Sequence, residues 1–112
     1  MEIPWRWLQE AGVGGFVLTG QSYRCATPHT LISLTEIEPV IRRVPLDENG
    51  FDHDRMISLL VAMRIGIALP PVSVERFAHP TYRYRLRDGT HRFYGSLAVG
   101  FTHLPTEICE PF

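Results

Sequence analysis

The sequence predicts an α/β domain, and two observations carry that expectation. Short strand-like segments alternate with two well-punctuated helix candidates along the chain. The most regular of those strands also leads straight into a glycine turn and then a helix, Tyr82 to Val99.

The elements follow in order. Residues 1–30 read as an N-terminal extension, with Pro4 starting a short helix whose apolar face is Trp5, Trp7 and Leu8, and Gly12 to Gly15 ending it. That glycine run lacks a GxGxxG register and a preceding strand, so it reads as a turn. From residue 31 to 112 the chain reads as the main domain. Leu31 to Glu38 is rich in β-branched and apolar residues and closes on Pro39, which predicts one strand. Asp47 to Gly50 marks a turn. Asp52 then stands as a helix cap, Phe51 and Met56 as a hydrophobic staple, and Gly66 as the stop. Apolar residues occur all round that helix, predicting burial on most sides.

Pro70-Pro71 forbids continuation, so Val72 to Phe77 reads as a strand starting at a sheet edge or mouth. Tyr82 to Arg87 alternates without a break, with Tyr82, Tyr84 and Leu86 on one face and Arg83, Arg85 and Arg87 on the other. Asp88-Gly89 makes the turn, Thr90 is the expected N-cap of a helix over His91 to Val99 with Gly100 at its end, and Leu104 to Cys109 is a last short strand.

Composition narrows the chemistry. The 112 residues carry 12 acidic and 11 basic side chains, and every basic one is arginine. Without lysine there is no Schiff-base lysine and no Walker-type phosphate lysine; phosphate must be met by Arg forks, hydroxyls or backbone amides. No apolar run approaches the length of a membrane span, and no signal-type segment opens the chain. Cys25 and Cys109 are isolated, which reads as two buried thiols in a reducing, cytoplasmic setting. The five histidines never fall at i, i+3 or i, i+4, so no helix presents a two-histidine metal face, and no metal site is expected.

The chemically informative stretch is strand, Asp88-Gly89-Thr90-His91-Arg92, helix. A glycine between strand and helix allows close backbone approach, and the amides of His91, Arg92 and Phe93 are expected to converge at the positive end of the helix dipole. Such a turn suits an anion, most naturally phosphate, with Arg92 as a bidentate donor, His91 as a titratable donor and Thr90 as a hydroxyl beside it. The alternative is a capped surface helix after an ordinary turn.

Residues Leu31 to Ile108 resemble the ParB/sulfiredoxin superfamily, through ISLTEIEP, PPVSVERF, YRYRLRDG, the DGTHR turn and GFTHLPTEI in that order. The resemblance implies a small mixed sheet flanked by helices. In sulfiredoxin-like members a Gly-Cys-His-Arg turn binds ATP phosphates and its cysteine is the nucleophile; Gly89, His91 and Arg92 match, but Thr90 replaces the cysteine, so sulfinic acid reduction is not implied. In ParB-like members the corresponding Gly-x-x-Arg box serves CTP, and in free-serine kinases a DG-x-HR turn works with a glutamate base. The implied ligand is a nucleotide, ATP or CTP, held by Asp88 to Arg92, with Mg²⁺ as an accessory and Glu36, Glu38 and His91 as the catalytic candidates. Glu36 and Glu38 are expected to alternate onto one face at the first strand's end, where sulfiredoxin-like members tend to carry an arginine; here Arg42 and Arg43 come slightly later.

The Arg83, Arg85, Arg87 ladder permits a second reading. Residues 1–75 hold 6 arginines against 9 acidic groups, and residues 76–112 hold 5 against 3, so charge is polarised although the total is -1. Like charges on one strand face repel, so neighbouring carboxylates, DNA or RNA, or an acidic protein partner must offset them. Tyr82, Tyr84, Phe93 and Tyr94 read either as base-stacking groups or as core.

Overall fold

A computed structural model describes residues 2–14, 18–39 and 50–110. The expected Asp47 to Gly50 turn, apart from Gly50 itself, lies outside the described residues, as do Gly15, Arg42 and Arg43. The elements are α1 (Trp5–Glu10), β1 (Thr30–Ser33), a 3-10 turn (Leu34–Glu36), β2 (Ile37–Glu38), α2 (His53–Ile65), β3 (Val72–Arg76), β4 (Tyr84–Asp88), α3 (Thr90–Ala98) and β5 (His103–Cys109).

The five strands form one mixed sheet in the order β1-β5-β3-β4-β2. β1 runs antiparallel to β5 and β4 antiparallel to β3, whereas β3 with β5 and β2 with β4 are parallel. The expected single strand over Leu31 to Glu38 is therefore corrected. It is broken by a three-residue 3-10 turn, and its halves form the two opposite edges of the sheet. Ser33 makes the break, because its Oγ accepts the Thr35 amide at 3.4 Å and offers the backbone a local bond in place of a ladder bond. One segment lying on both edges forces the sheet to curl. β3, expected to start at an edge or mouth, is instead central between β5 and β4. Pro70 and Pro71 precede it and remove none of its ladder bonds.

α2 follows its punctuation. Phe51 and Met56 are both fully buried as the staple requires, and Gly66 at φ 81° ends the helix with its amide on Ala62 O at 3.0 Å. Asp52 occupies the N-cap position but its side chain caps no amide. The helix is less enclosed than expected: Met56, Leu60, Ala62 and Met63 are buried, Ile57, Leu59 and Val61 only partly, and Ile65 is exposed. In α1, Trp7 is 3% exposed and Trp5 58%, so the two tryptophans do not share a face. Residues two apart on a helix point to different sides, and only one can reach the core. Trp7, Ala11, Val13 and Tyr23 pack in the same hydrophobic cluster as Phe51, Leu60, Val74 and Phe93, so the described part of residues 1–30 shares the core of the sheet and helices.

A candidate phosphate cleft at the β4–α3 turn

Gly89 ends β4 with φ +111° and is itself the N-cap of α3, which starts one residue earlier than Thr90 as cap would require. A Cβ at Gly89 would lie 2.4 Å from Val72 Cγ1, so only a residue without a side chain lets this turn press onto the start of β3. A glycine cap offers no side chain to the first-turn amides. The Phe93 amide is not among the groups left over, because it donates to Gly89 O at 2.9 Å as the first bond of the helix. The amides of Thr90 and Arg92 lie at the mouth of the turn.

The two side chains expected to reach a ligand both border the cleft and also make bonds within the protein. His91 is buried; its Nε2 accepts the Asp52 amide at 3.0 Å, and its ring meets Phe51 edge-on at 5.5 Å. With Nε2 accepting, that nitrogen is not a donor to an anion. Arg92 is mostly buried, and its Nη1 donates to Pro70 O and Pro71 O, both at 2.9 Å, while Nη2 lies 3.6 Å from Asp88 Oδ2. Tyr23 donates its hydroxyl to the same Pro70 O at 2.7 Å, and burial pushes its pKa up against the opposing effect of Arg92. Arg92 is thus a strut between the Pro70-Pro71 wall and the turn.

Between this turn and α2 opens a cleft of about 290 Å³. Asp88, Gly89, Thr90, His91 and Arg92 form one side, Pro70 and Leu69 the wall, and Arg55 and Leu59 of α2 the other side. Arg55 was not singled out from the sequence. It stands at the third position of α2, is exposed, and makes no hydrogen bond or ion pair among the described residues. Nothing local to residue 55 signals this; the first turn of α2 comes beside that of α3 through the bond from Asp52 to His91 and the packing of Leu59, Leu60 and Met63 on Gly95.

Glu36 and Glu38 do not border the cleft. Glu36 lies in the 3-10 turn, so strand alternation does not place it with Glu38; its carbonyl accepts the Arg83 amide at 3.0 Å and its carboxylate sits 3.6 Å from Arg83 Nε. Glu38 pairs in register with Arg85. Gly89 is four residue steps beyond Arg85, about 13 Å at 3.3 Å per residue. Among the described residues no group of three or more His, Cys, Asp or Glu could hold a metal ion. Cys25 and Cys109 are both free and half-buried rather than fully buried.

The arginine ladder is offset from within the protein. Arg85 pairs through Nε with Glu75 Oε1, and Arg87 Nη1 donates to Glu75 Oε2 at 3.0 Å. The hydrogen bond from Arg85, reinforced by the charges of both arginines, holds the Glu75 carboxyl below its usual range. Tyr84 is half-buried and Leu86 buried on the opposite face, as the alternation predicts; Tyr82 and Arg83 precede β4. Phe93 and Tyr94 are core.

Known structures share this fold. The chain is similar to sulfiredoxin from Arabidopsis thaliana, with 19% identity, 76% of this chain and 88% of that one covered, and a TM-score of 0.57. It is similar to a conserved hypothetical protein from Pyrococcus furiosus at 20% identity, covering 81% of this chain and 35% of that one, with a TM-score of 0.55. It is also similar to C-terminally truncated ParB, a chromosome-partitioning protein of Caulobacter crescentus, complexed with CTP-gamma-S, at 16% identity, 77% and 46% coverage, and a TM-score of 0.57. The chain thus spans less than half the length of the latter two. No protein-family model matches the sequence, and no curated protein matches it. The chain has a ParB/sulfiredoxin-like fold. No helix among the described residues is long and apolar enough to cross a membrane.

Proposed function

We propose that the cleft between α2 and α3 binds the phosphates of a nucleotide, ATP or CTP. The observation that carries the reading is Arg55, a guanidinium without a partner among the described residues, bordering the same cleft as the uncapped first turn of α3. An arginine fork and helix-start amides are the phosphate ligands open to a chain without lysine. The fold shared with a ParB crystallised with CTP-gamma-S supports it further. In this reading Thr90 supplies a hydroxyl, Gly89 lets the backbone approach, and His91 and Arg92 position the turn rather than touch the ligand. Asp88 is the acidic residue bordering the cleft, so Mg²⁺ bridging the phosphates would meet the protein there.

The geometry favours binding over turnover. A general base must come within hydrogen-bond reach of its nucleophile. Glu36 and Glu38 lie toward the other end of β4, and His91 Nε2 is engaged by Asp52. Calorimetric titration with ATP, CTP and ADP, with and without Mg²⁺, tests the proposal: saturable binding to at least one is expected, and no binding at millimolar ligand overturns it.

A further inference from the structure

The β3–β4 hairpin carries a second constellation, remote from the cleft. Phe77, His79 and Tyr82 line a pocket of about 340 Å³ at its tip. Their rings follow one another at centroid distances of 5.4 Å and 5.2 Å, tilted by 34° and 37°. His79 is locked into this row, because its Nδ1 accepts the amides of Thr81 at 3.0 Å and Tyr82 at 3.2 Å. The row continues into the arginine ladder, with Arg85 Cζ 5.5 Å from the centroid of the Phe77 ring.

The ladder is charged toward solvent in spite of its internal pairing. Two guanidinium groups share one carboxylate, and that carboxylate is recessed: the Glu75 side chain is 15% exposed, against 56% for Arg85 and 58% for Arg87. Glu75 therefore sets the arginines in place without neutralising both. Arg83, largely exposed and 3.6 Å from Glu36, extends the line toward the aromatic tip. The Arg83–Glu36 pair, exposed on both sides, contributes little on its own.

We propose that this face binds single-stranded nucleic acid, with bases stacked on the Phe77–His79–Tyr82 row and phosphates on Arg83, Arg85 and Arg87. An acidic protein would use the arginines but make no use of the aromatic row. A row of tilted rings with a flanking cationic line is the combination that suits unpaired bases on a phosphate backbone. A duplex, whose base faces are covered, engages only the arginines.

Fluorescence anisotropy on a labelled oligothymidine of about 10 nucleotides tests this, beside a duplex of the same length and a polyglutamate peptide. The single strand is expected to bind at least tenfold more tightly than either, with log K falling on log salt with a slope of about -2 for three phosphate contacts. Tyr82→Ala and Tyr82→Leu are each expected to weaken binding about tenfold with the slope unchanged, while Arg83→Ala flattens it by about 0.7. Thermal melts of each variant ensure that folded protein is compared, and the leucine variant keeps apolar bulk at the tip. The proposal is overturned if no binding appears at about 50 mM salt and 100 μM protein. It is equally overturned if polyglutamate or duplex binds as tightly, if both folded Tyr82 variants bind like the wild type, or if Arg55→Ala abolishes strand binding, which would place the strand in the cleft.

Discussion

The Nε2 of His91 accepts the backbone amide of Asp52 at 3.0 Å, so the first turn of α3 is tied to the residue that opens α2. This bond is one of the contacts that hold the two sides of the cleft together, beside the packing of Leu59, Leu60 and Met63 on Gly95. His91→Ala removes the acceptor and opens a hole beside the fully buried Phe51. The expected cost is about 2–4 kcal/mol in chemical denaturation, with weaker nucleotide binding even in the folded fraction.

Arg55 and Arg92 both border the cleft, but their variants are expected to behave in opposite ways. Arg55→Ala removes a side chain with no partner among the described residues, so the melting temperature should stay within a degree or two while nucleotide affinity falls by about 1.5–3 kcal/mol. Arg92→Met removes the Nη1 that donates to both Pro70 O and Pro71 O while keeping an apolar stem in its place. A stability loss of about 1–3 kcal/mol is expected, read by thermal and urea melts beside calorimetry. Equal effects of the two substitutions on stability would contradict the assignment of roles.

Gly89→Ala tests the close approach of the turn. The new methyl would sit 2.4 Å from Val72 Cγ1, on a backbone at φ +111°. Strain and overlap together are expected to destabilise by about 2–4 kcal/mol. Adding Val72→Ala should recover only the steric part, because the backbone strain remains.

His53 joins α1 to α2 with both ring nitrogens on carboxylates, Nε2 to Glu10 at 2.7 Å and Nδ1 to Asp54 at 2.8 Å, and with Trp7 edge-on at 4.9 Å. The hydrogen bond to Glu10, then that to Asp54, raises its pKa above the usual 6.5. A folded-state pKa above the unfolded one means the contribution is fully present below about pH 6.5 and is lost as pH rises through the folded value. Melting temperature should therefore fall from pH 6 to pH 8 in the wild type and fall less in His53→Gln. Added salt should shrink the difference, since the group is exposed.

Ser96 is fully buried in α3, and its hydroxyl has no hydrogen-bond partner among the described residues. Ser96→Ala removes an unsatisfied group and improves helix propensity, so stability should rise by up to about 1 kcal/mol in a urea melt. A loss above that size would mean that the hydroxyl has a partner.

The sequence by itself determined the elements whose signals are local. Alternation at Tyr84 to Leu86, the staple of Phe51 and Met56, the stop at Gly66 and the glycine between β4 and α3 all rest on residues within a few positions of one another. The superfamily likeness was legible for the same reason, because it lies in the order of those segments. The tertiary structure alone decided what depends on contacts between distant residues. Nothing near Leu31 to Glu38 tells that its halves border opposite edges of one sheet, since that depends on β5 and β4. Nothing near Arg92 or His91 tells that both turn inward, because their acceptors and donors, Pro70, Pro71 and Asp52, lie about 20 to 40 residues away. Arg55 comes to border the cleft by the same route. Periodicity records which face of an element is apolar; which polar group meets which depends on how those faces pack.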